Sequence, residues 1–462
     1  MTLTYWLAPT LTTYGQLPLF ATIPMLVLLA AYLALYPALF AWLLAKLKPG
    51  PWGVFILTPV SWTALEWCRA WMLSGFPWAL LGYSQYQQLW LVQIADLCGV
   101  YGVSFLVAAT NGTSVLILCA ISKGRINGAR ISPSMLWKAV LVLTLFIGGT
   151  YYYGCQRLQT IEVLTTKADK KRVAAIQGNI SQDLKWEPQH LRAAFDTYLR
   201  LSEEAVDAAL VVWPETALPY YFPYDAVAVN YLKTEITRIN TDFLVGAPTA
   251  IEKEKDQFQY QNSAYLILAD QTVTGSYHKA HLVPFGEYVP FKKWLPFLGN
   301  IVAQVGDFIP GEKGITLPWR DHHIGMLICF ELIFPDLTRA QVQNSADLLV
   351  NITNDAWYGR TSAPHQHFSF ARFRAVESRR SLVRAANTGI SGFVDPAGRA
   401  SGATPIFEEA ITSRPVAFLS INTFYTAHGD WLPVICAGIV PLFCVGRYYR
   451  NRKSEPLAPR IK

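Results

Sequence analysis

The chain has 462 residues, of which 52% are hydrophobic and only 15% are charged, a composition too apolar for a purely soluble protein. Its length allows two or more domains, and its net charge of +7 comes without the basic and aromatic stripe of a nucleic-acid-binding protein. Seven cysteines without CxxC spacing argue against both a zinc site and a disulfide framework.

Five apolar segments are each long enough to cross a membrane, because about 20 apolar residues span the hydrocarbon core. They are predicted at Leu17–Leu47, Trp52–Leu73, Val100–Ile121, Leu136–Tyr153 and Trp431–Val445. The pattern predicts a membrane domain with four spans over residues 1–155 and a soluble block over 156–430. A C-terminal span over 431–446 and a basic tail over 447–462 complete the chain.

Basic residues predict which side of the membrane each connecting segment faces. They cluster after the first, third and fifth spans: Lys46, Lys48, Lys123, Arg125, Arg130, Arg447, Arg450, Arg452 and Lys453. Because successive spans alternate in direction, these three segments fall on one side, which the positive-inside rule makes cytoplasmic. The block over 156–430 is therefore expected on the opposite side, outside the inner membrane.

The soluble block alternates short apolar strands with amphipathic helices from Arg172 onward. A helix is predicted over Pro188–Val206, since its apolar residues recur at helical spacing. Strands over Asn262–Ala269 and Thr272–Tyr277 are predicted to form a hairpin. Such alternation predicts a layered α/β domain with a largely buried sheet.

Three reactive side chains each follow a predicted strand in this block. Glu215 follows AALVVW, Lys279 follows TVTGSY, and Cys329 follows IGMLIC. Strand ends of a layered α/β fold gather at one edge of a sheet, where sites form. Each residue alone also fits an ordinary role, as a loop acid, a surface base and a small buried apolar side chain.

As a set, a carboxylate, an ammonium and a thiol make chemical sense. Glu215 would take the proton of Cys329, whose thiolate would attack an acyl carbon and hold it as a thioester. Lys279 would supply positive charge to the oxyanion of the tetrahedral intermediate. The helix predicted after Cys329 is expected to favour the thiolate, because a helix N-terminus stabilises negative charge.

Four segments then carry a resemblance to a known family: WPET (213–216), HKAHLVPFGEYVP (278–290), ICFELIFPD (328–336) and NITNDAWYG (351–359). In this order, between membrane spans, they resemble the nitrilase superfamily and more closely the bacterial apolipoprotein N-acyltransferases. The resemblance extends through the membrane segments and covers nearly the whole chain. It implies an αββα nitrilase-like sandwich that faces the periplasm and is inserted before the last membrane span.

The resemblance also implies roles for particular residues. Glu215, Lys279 and Cys329 match the family's catalytic triad in role and order. Three further residues match functional positions of the family. Glu287 and Glu331 would be supporting glutamates, and Trp186 resembles a tryptophan near the substrate groove.

The implied reaction transfers an acyl chain from a phospholipid, typically phosphatidylethanolamine, to the α-amino group of a lipoprotein's N-terminal diacylglyceryl cysteine. It proceeds through a thioester on Cys329 and needs no metal or cofactor. The family normally has three further spans upstream, so an in-frame extension that encodes them is expected. Two alternatives remain open: a membrane-anchored amidase that uses water as acceptor, and an inactive truncated remnant.

Overall fold

A computed structural model describes residues 3–15, 17–182, 188–254, 257–290 and 308–454. The chain divides into two compact units. The α/β unit comprises Met1–Leu26 and Gln156–Ala427, and the helical unit comprises Val27–Cys155 and His428–Lys462. The first residues thus group with the soluble block, although the sequence places them in the membrane domain.

Long apolar helices account for most of the helical unit. Among the described residues, four helices are long and apolar enough to cross a membrane: Leu19–Leu47, Ala95–Ile121, Pro133–Lys167 and Trp431–Tyr448. The segment predicted as the second span is also a helix, Pro51–Trp71, but it carries Glu66 and Arg69 and is less apolar. Short helices Met72–Ser74, Leu81–Gln85 and Leu89–Val92 and a hairpin of Arg125–Ile126 with Ala129–Arg130 connect the long helices.

Twelve strands are described in the α/β unit, and we number them β1 to β12 in chain order. They are Lys170–Gln177, Leu210–Val212, Asp242–Glu254, Gln257–Ile267, Val273–His278, Thr316–Trp319, His322–Ile328, Leu348–Thr353, Ser381–Ala386, Gly392–Val394, Ala400–Ser401 and Ala410–Ala417. They form two six-stranded sheets, in the orders β12-β1-β2-β3-β4-β5 and β11-β10-β9-β8-β7-β6.

Strand direction decides where the predicted reactive residues emerge. In the first sheet β1, β2 and β3 run parallel, and β4 is antiparallel to both β3 and β5. Therefore β2 and β5, which precede Glu215 and Lys279, end at the same edge of that sheet. In the second sheet β7, β8 and β9 run parallel, and Cys329 follows β7 directly.

Helices cover the outer faces of both sheets. The helices Pro188–Glu203 and Ala226–Ile239 bury Phe195, Leu232 and Ile236 in one apolar cluster with residues of the first sheet. The helices Pro335–Gln343 and Ala363–Ser378 pack on the second sheet, with Phe373 and Val376 among the fully buried side chains. These helices bury their apolar faces against a sheet, which explains the alternation seen in the sequence.

Hydrogen bonds join the two sheets where their inner faces meet. Ser381 Oγ donates to the Ala417 carbonyl at 2.7 Å, and Ser391 Oγ donates to Gln177 Oε1 at 2.8 Å. Trp319 Nε1 donates to Asp242 Oδ2 at 2.9 Å. The result is the αββα sandwich expected from the sequence, and the predicted hairpin is confirmed as β4 and β5.

Candidate active site

A buried lysine lies between two carboxylates at the edge of the first sheet. Lys279 Nζ is 2.8 Å from Glu287 Oε1 and 3.7 Å from Glu215 Oε1, and the lysine side chain is 1% exposed. Asn262, on β4, donates from Nδ2 to both carboxylates, at 2.6 Å to Glu215 and 3.1 Å to Glu287. Because a buried charge is costly unless it is paired, this lysine and these carboxylates stabilise one another's ionised forms.

Backbone contacts fix the position of the Glu215 carboxylate. Its Oε2 accepts the Asn354 N–H at 2.8 Å. The turn that carries Glu215 crosses Gly246 on β3 so closely that a Cβ there would lie 2.2 Å from the Pro214 carbonyl oxygen. Only glycine allows this approach, so Gly246 sets the height of the Glu215 turn above the sheet.

Glu287 contacts both the Lys279 ammonium group and the backbone of the loop that follows it. Its Oε1 accepts from Lys279 Nζ, while Oε2 accepts the Val283 N–H at 2.8 Å. The carboxylate therefore holds the ammonium group and the loop between the two residues in one arrangement. The supporting role that the family resemblance implies for Glu287 stays a prediction.

Cys329 stands at a conformationally unusual point of the chain. Its φ is +55°, in the left-handed region that costs a residue with a side chain, and it begins the short 3₁₀ turn Cys329–Ile333 directly after β7. The side chain is buried, and burial raises the pKa of the thiol above its ordinary value. The Glu215 carboxylate raises this pKa further, while the Lys279 charge lowers it.

The expectation that a helix N-terminus favours the Cys329 thiolate is therefore wrong. The thiol enters a short 3₁₀ turn, the α-helix begins only at Pro335, and burial outweighs the nearby positive charge. The resting thiol is protonated, so it needs a base. Glu215, whose charge acts on this thiol, is the carboxylate placed to serve.

Glu331 ties the Cys329 turn to the lysine loop. Its Oε1 accepts the N–H groups of Ala280 at 2.7 Å and His281 at 3.0 Å, and its Oε2 accepts that of Ile328 at 2.7 Å. Tyr277 OH also donates to Oε1, at 3.0 Å. Burial raises the pKa of Glu331 to about 7, against the effect of these donors. Glu331 thus fixes the ends of β5 and β7 relative to each other.

The structure adds groups that the sequence did not single out. Asn262 and Asn354 bind the Glu215 carboxylate, and His367 contacts the carbonyl of Cys329. Asn262 lies between Gln261 and Ser263 in β4, so a polar side chain at this position is not distinctive in the sequence. Trp186, predicted to lie near the substrate groove, falls outside the described residues.

His281 is the group near the site whose protonation most directly links pH to stability. Its ring stacks on Phe334 with centroids 3.9 Å apart, and its Nε2 is buried without a hydrogen-bond partner among the described residues. Burial lowers the pKa of His281 from its ordinary value of 6.5 to about 4. The stabilisation that comes from burying the neutral ring is thus fully present above pH 6.5 and is lost as pH falls toward 4.

We expect a change from pH 6.5 to pH 4 to destabilise the full-length His281→Gln variant less than the wild type, because the variant lacks the His281 contribution. The raised pKa of Glu331 acts in the opposite direction in both proteins. Thermal unfolding measured at about pH 4.5, 5.5 and 7, in steps of roughly one pH unit, tests this effect. His365→Gln, at an exposed histidine, is the control and should leave the pH profile unchanged. A profile that His281→Gln does not alter would contradict this assignment.

Comparison with known proteins agrees with this geometry. The family model of the apolipoprotein N-acyltransferase N-terminal domain matches residues 1–113, and the carbon-nitrogen hydrolase model matches residues 172–421. The apolipoprotein N-acyltransferase of Geobacter metallireducens is 43% identical over 442 residues, which cover 94% of this chain and 83% of that protein. That of Methylococcus capsulatus is 35% identical over 460 residues, covering 97% and 86%.

Among solved structures, an amidase from Nesterenkonia sp. matches 58% of this chain and 96% of its own, with 22% identity and a TM-score of 0.42. The family assignment depends on the sequence matches, which extend over both the helical and the α/β part of the chain. The chain therefore belongs to the apolipoprotein N-acyltransferase family and carries that family's carbon-nitrogen hydrolase domain.

Proposed function

We propose that this protein transfers a fatty acyl chain from a phospholipid, through a thioester on Cys329, to the α-amino group of an N-terminal diacylglyceryl cysteine. The observation that carries the proposal is the buried cluster of Glu215, Lys279 and Glu287, in which the charges of Glu215 and Lys279 act on the Cys329 thiol. The names of the related proteins supply the lipoprotein acceptor.

In the first half-reaction, Glu215 takes the proton of the Cys329 thiol and the sulfur attacks the ester carbonyl of the phospholipid. Lys279 faces the negative charge that develops on the carbonyl oxygen, and Glu287 keeps the ammonium group in place. When the carbon–oxygen bond of the ester breaks, the lysophospholipid leaves with the proton held by Glu215. The acyl chain remains on Cys329 as a thioester.

In the second half-reaction, the α-amino group of the acceptor attacks the thioester carbonyl. Glu215 takes a proton from the attacking nitrogen and returns it to the sulfur of Cys329 as the carbon–sulfur bond breaks. The amide product and the free thiol result, so Glu215 and Cys329 regain their starting protonation. Lys279 again stabilises the oxyanion, because the carbonyl carbon passes through a second tetrahedral state.

Membrane placement supports this choice of substrates. Both the phospholipid and the diacylated acceptor are membrane-bound, and the described part of the chain contains four helices that are apolar and long enough to cross a bilayer. We propose a multi-pass protein of the bacterial inner membrane with its α/β unit in the periplasm. The basic segments after the first, third and fifth predicted spans are expected to be cytoplasmic, so the α/β block is expected on the other side of the membrane. Phosphatidylethanolamine is the proposed donor.

Acceptor choice is what separates this function from that of a membrane-anchored amidase. Full-length protein in detergent micelles with phosphatidylethanolamine should acylate a synthetic diacylated lipopeptide at its free α-amino group. The same lipopeptide with an acetylated N-terminus is the control and should stay unmodified. Equal release of free fatty acid with and without the amine acceptor, with no triacylated peptide, would show that water is the acceptor and contradict the proposal.

A further inference from the structure

A buried polar network contacts the strained backbone of Cys329. His367, on the helix Ala363–Ser378, is 0% exposed, and its Nε2 lies 3.1 Å from the carbonyl oxygen of Cys329. A positive φ persists in a residue with a side chain only where surrounding contacts enforce it. His367 contacts the carbonyl of Cys329, which is the residue with this positive φ.

Arg384 organises the groups behind His367. From β9, its Nη2 lies 2.7 Å from Asp355 Oδ2 and 3.0 Å from His367 Nδ1, and its Nη1 donates to Asn351 Oδ1. Asn351 in turn donates from Nδ2 to the carbonyls of Leu327 and Cys329, at 2.9 and 3.5 Å. One buried guanidinium thus supports two side chains that reach the carbonyl of Cys329.

The contact with the Cys329 carbonyl requires a proton on Nε2 of His367. The Cys329 carbonyl offers only lone pairs, so a hydrogen bond at 3.1 Å requires the hydrogen on Nε2. On the other side of the ring, His367 Nδ1 lies 3.0 Å from Arg384 Nη2 and 3.1 Å from Asp355 Oδ1, so both residues hold the ring in place. Burial, followed by the Arg384 charge, lowers the pKa of His367, against the opposing effect of the Asp355 carboxylate.

We propose that His367 is a positioning residue for the nucleophile: its Nε2–H holds the Cys329 carbonyl, with Arg384 and Asp355 fixing the ring, and so aims the sulfur at the acyl carbon. This rests on the proposed role of Cys329 as the nucleophile. Without this contact Cys329 can relax from its positive φ, and that rotation about the N–Cα bond turns the Cα–Cβ bond together with the carbonyl group. Loss of the donor should therefore slow acylation of the sulfur while leaving lipid binding unchanged.

A matched pair of amides at position 367 tests the donor. Glutamine can place an amide N–H where the imidazole has Nε2, whereas asparagine reaches only the position of Nδ1. In full-length protein, the burst of nitrophenolate from a p-nitrophenyl ester reports acylation of the thiol without depending on the natural donor. We expect His367→Asn to acylate roughly 100-fold more slowly than the wild type, because misplacement by about 1 Å has that effect, and His367→Gln to recover most of the rate.

Control variants separate positioning from folding. Val376→Ala removes buried volume from the same helix, nine residues and about 13 Å along the axis from His367. Even if it loses as much thermal stability as the His367 variants, it should keep the wild-type burst rate. The concentration of ester giving half the maximal rate should be unchanged in both amide variants.

Three results would overturn the inference: equal burst rates in wild type and His367→Asn, equally slow rates in both amide variants, or an equally slow Val376→Ala. Wild-type protein that acylates Cys329 from the nitrophenyl ester but not from a phospholipid would instead defeat the proposed function and leave this inference standing. Wild-type protein that is never acylated at Cys329 would defeat both.

Discussion

Replacing Lys279 with methionine is expected to abolish acyl transfer and to destabilise the α/β unit by about 3–5 kcal/mol, because it leaves buried carboxylates without their countercharge. Although burial opposes it, the Glu287 and Glu215 carboxylates raise the pKa of Lys279 above its ordinary value of 10.5. A raised pKa means that this stabilisation is fully present below pH 10.5 and is lost only as pH rises above it. Thermal unfolding at pH 7 and the rate of lipopeptide acylation measure the two effects.

Lys313→Met is the matched control for this substitution. Lys313 also contacts a carboxylate, Asp336 at 2.5 Å, but both side chains are nearly half exposed. An exposed pair of this kind contributes about 0–1 kcal/mol, so the control should unfold and react almost as the wild type does. Lys279→Met protein that is as stable and as active as Lys313→Met would contradict the assignment of Lys279 to the site.

Replacing Glu215 with glutamine should separate chemistry from stability. Glutamine fills the same space and can still accept the Asn354 N–H through its carbonyl oxygen, so we expect a loss of stability below about 2 kcal/mol. It cannot take the proton of the buried, protonated thiol, so the rate of Cys329 acylation should fall about 10²–10⁴-fold. Stopped-flow measurement of the nitrophenolate burst gives this rate.

Glu312→Gln, at an exposed glutamate, serves as the control and should acylate at the wild-type rate. If Glu215→Gln kept the wild-type burst, another group would be the base and the proton path described above would be wrong. A lost burst together with severe unfolding would mean that Glu215 acts chiefly on the fold, through its bonds to Asn262 and Asn354.

The sequence could predict the place of Glu215, Lys279 and Cys329 because each residue follows a predicted strand. Strand ends are local features, and the parallel directions of β2 and β5 bring two of them to one sheet edge. The protonation state of Cys329 could not be predicted in the same way. It depends on burial and on charges contributed by distant segments, which outweigh the local effect of the following turn.

The polar network around the Cys329 carbonyl also could not be predicted from the sequence. His367 appears there as one histidine on an ordinary helix, and Arg384 as a charge within an apolar strand. Their contacts join residues that are 38 and 29 positions apart along the chain. Only the stacking of the helix Ala363–Ser378 on the second sheet turns these separate residues into a buried support for the nucleophile.

The mass of the intact protein after incubation with a phospholipid tests the central claim most directly. Full-length wild type mixed with phosphatidylethanolamine should gain the mass of one acyl chain, which peptide mapping should place on Cys329. Addition of a diacylated lipopeptide should remove that mass and give a triacylated peptide, and Cys329→Ala should never gain it. An acyl adduct on another residue, or triacylated peptide made by Cys329→Ala, would contradict the account.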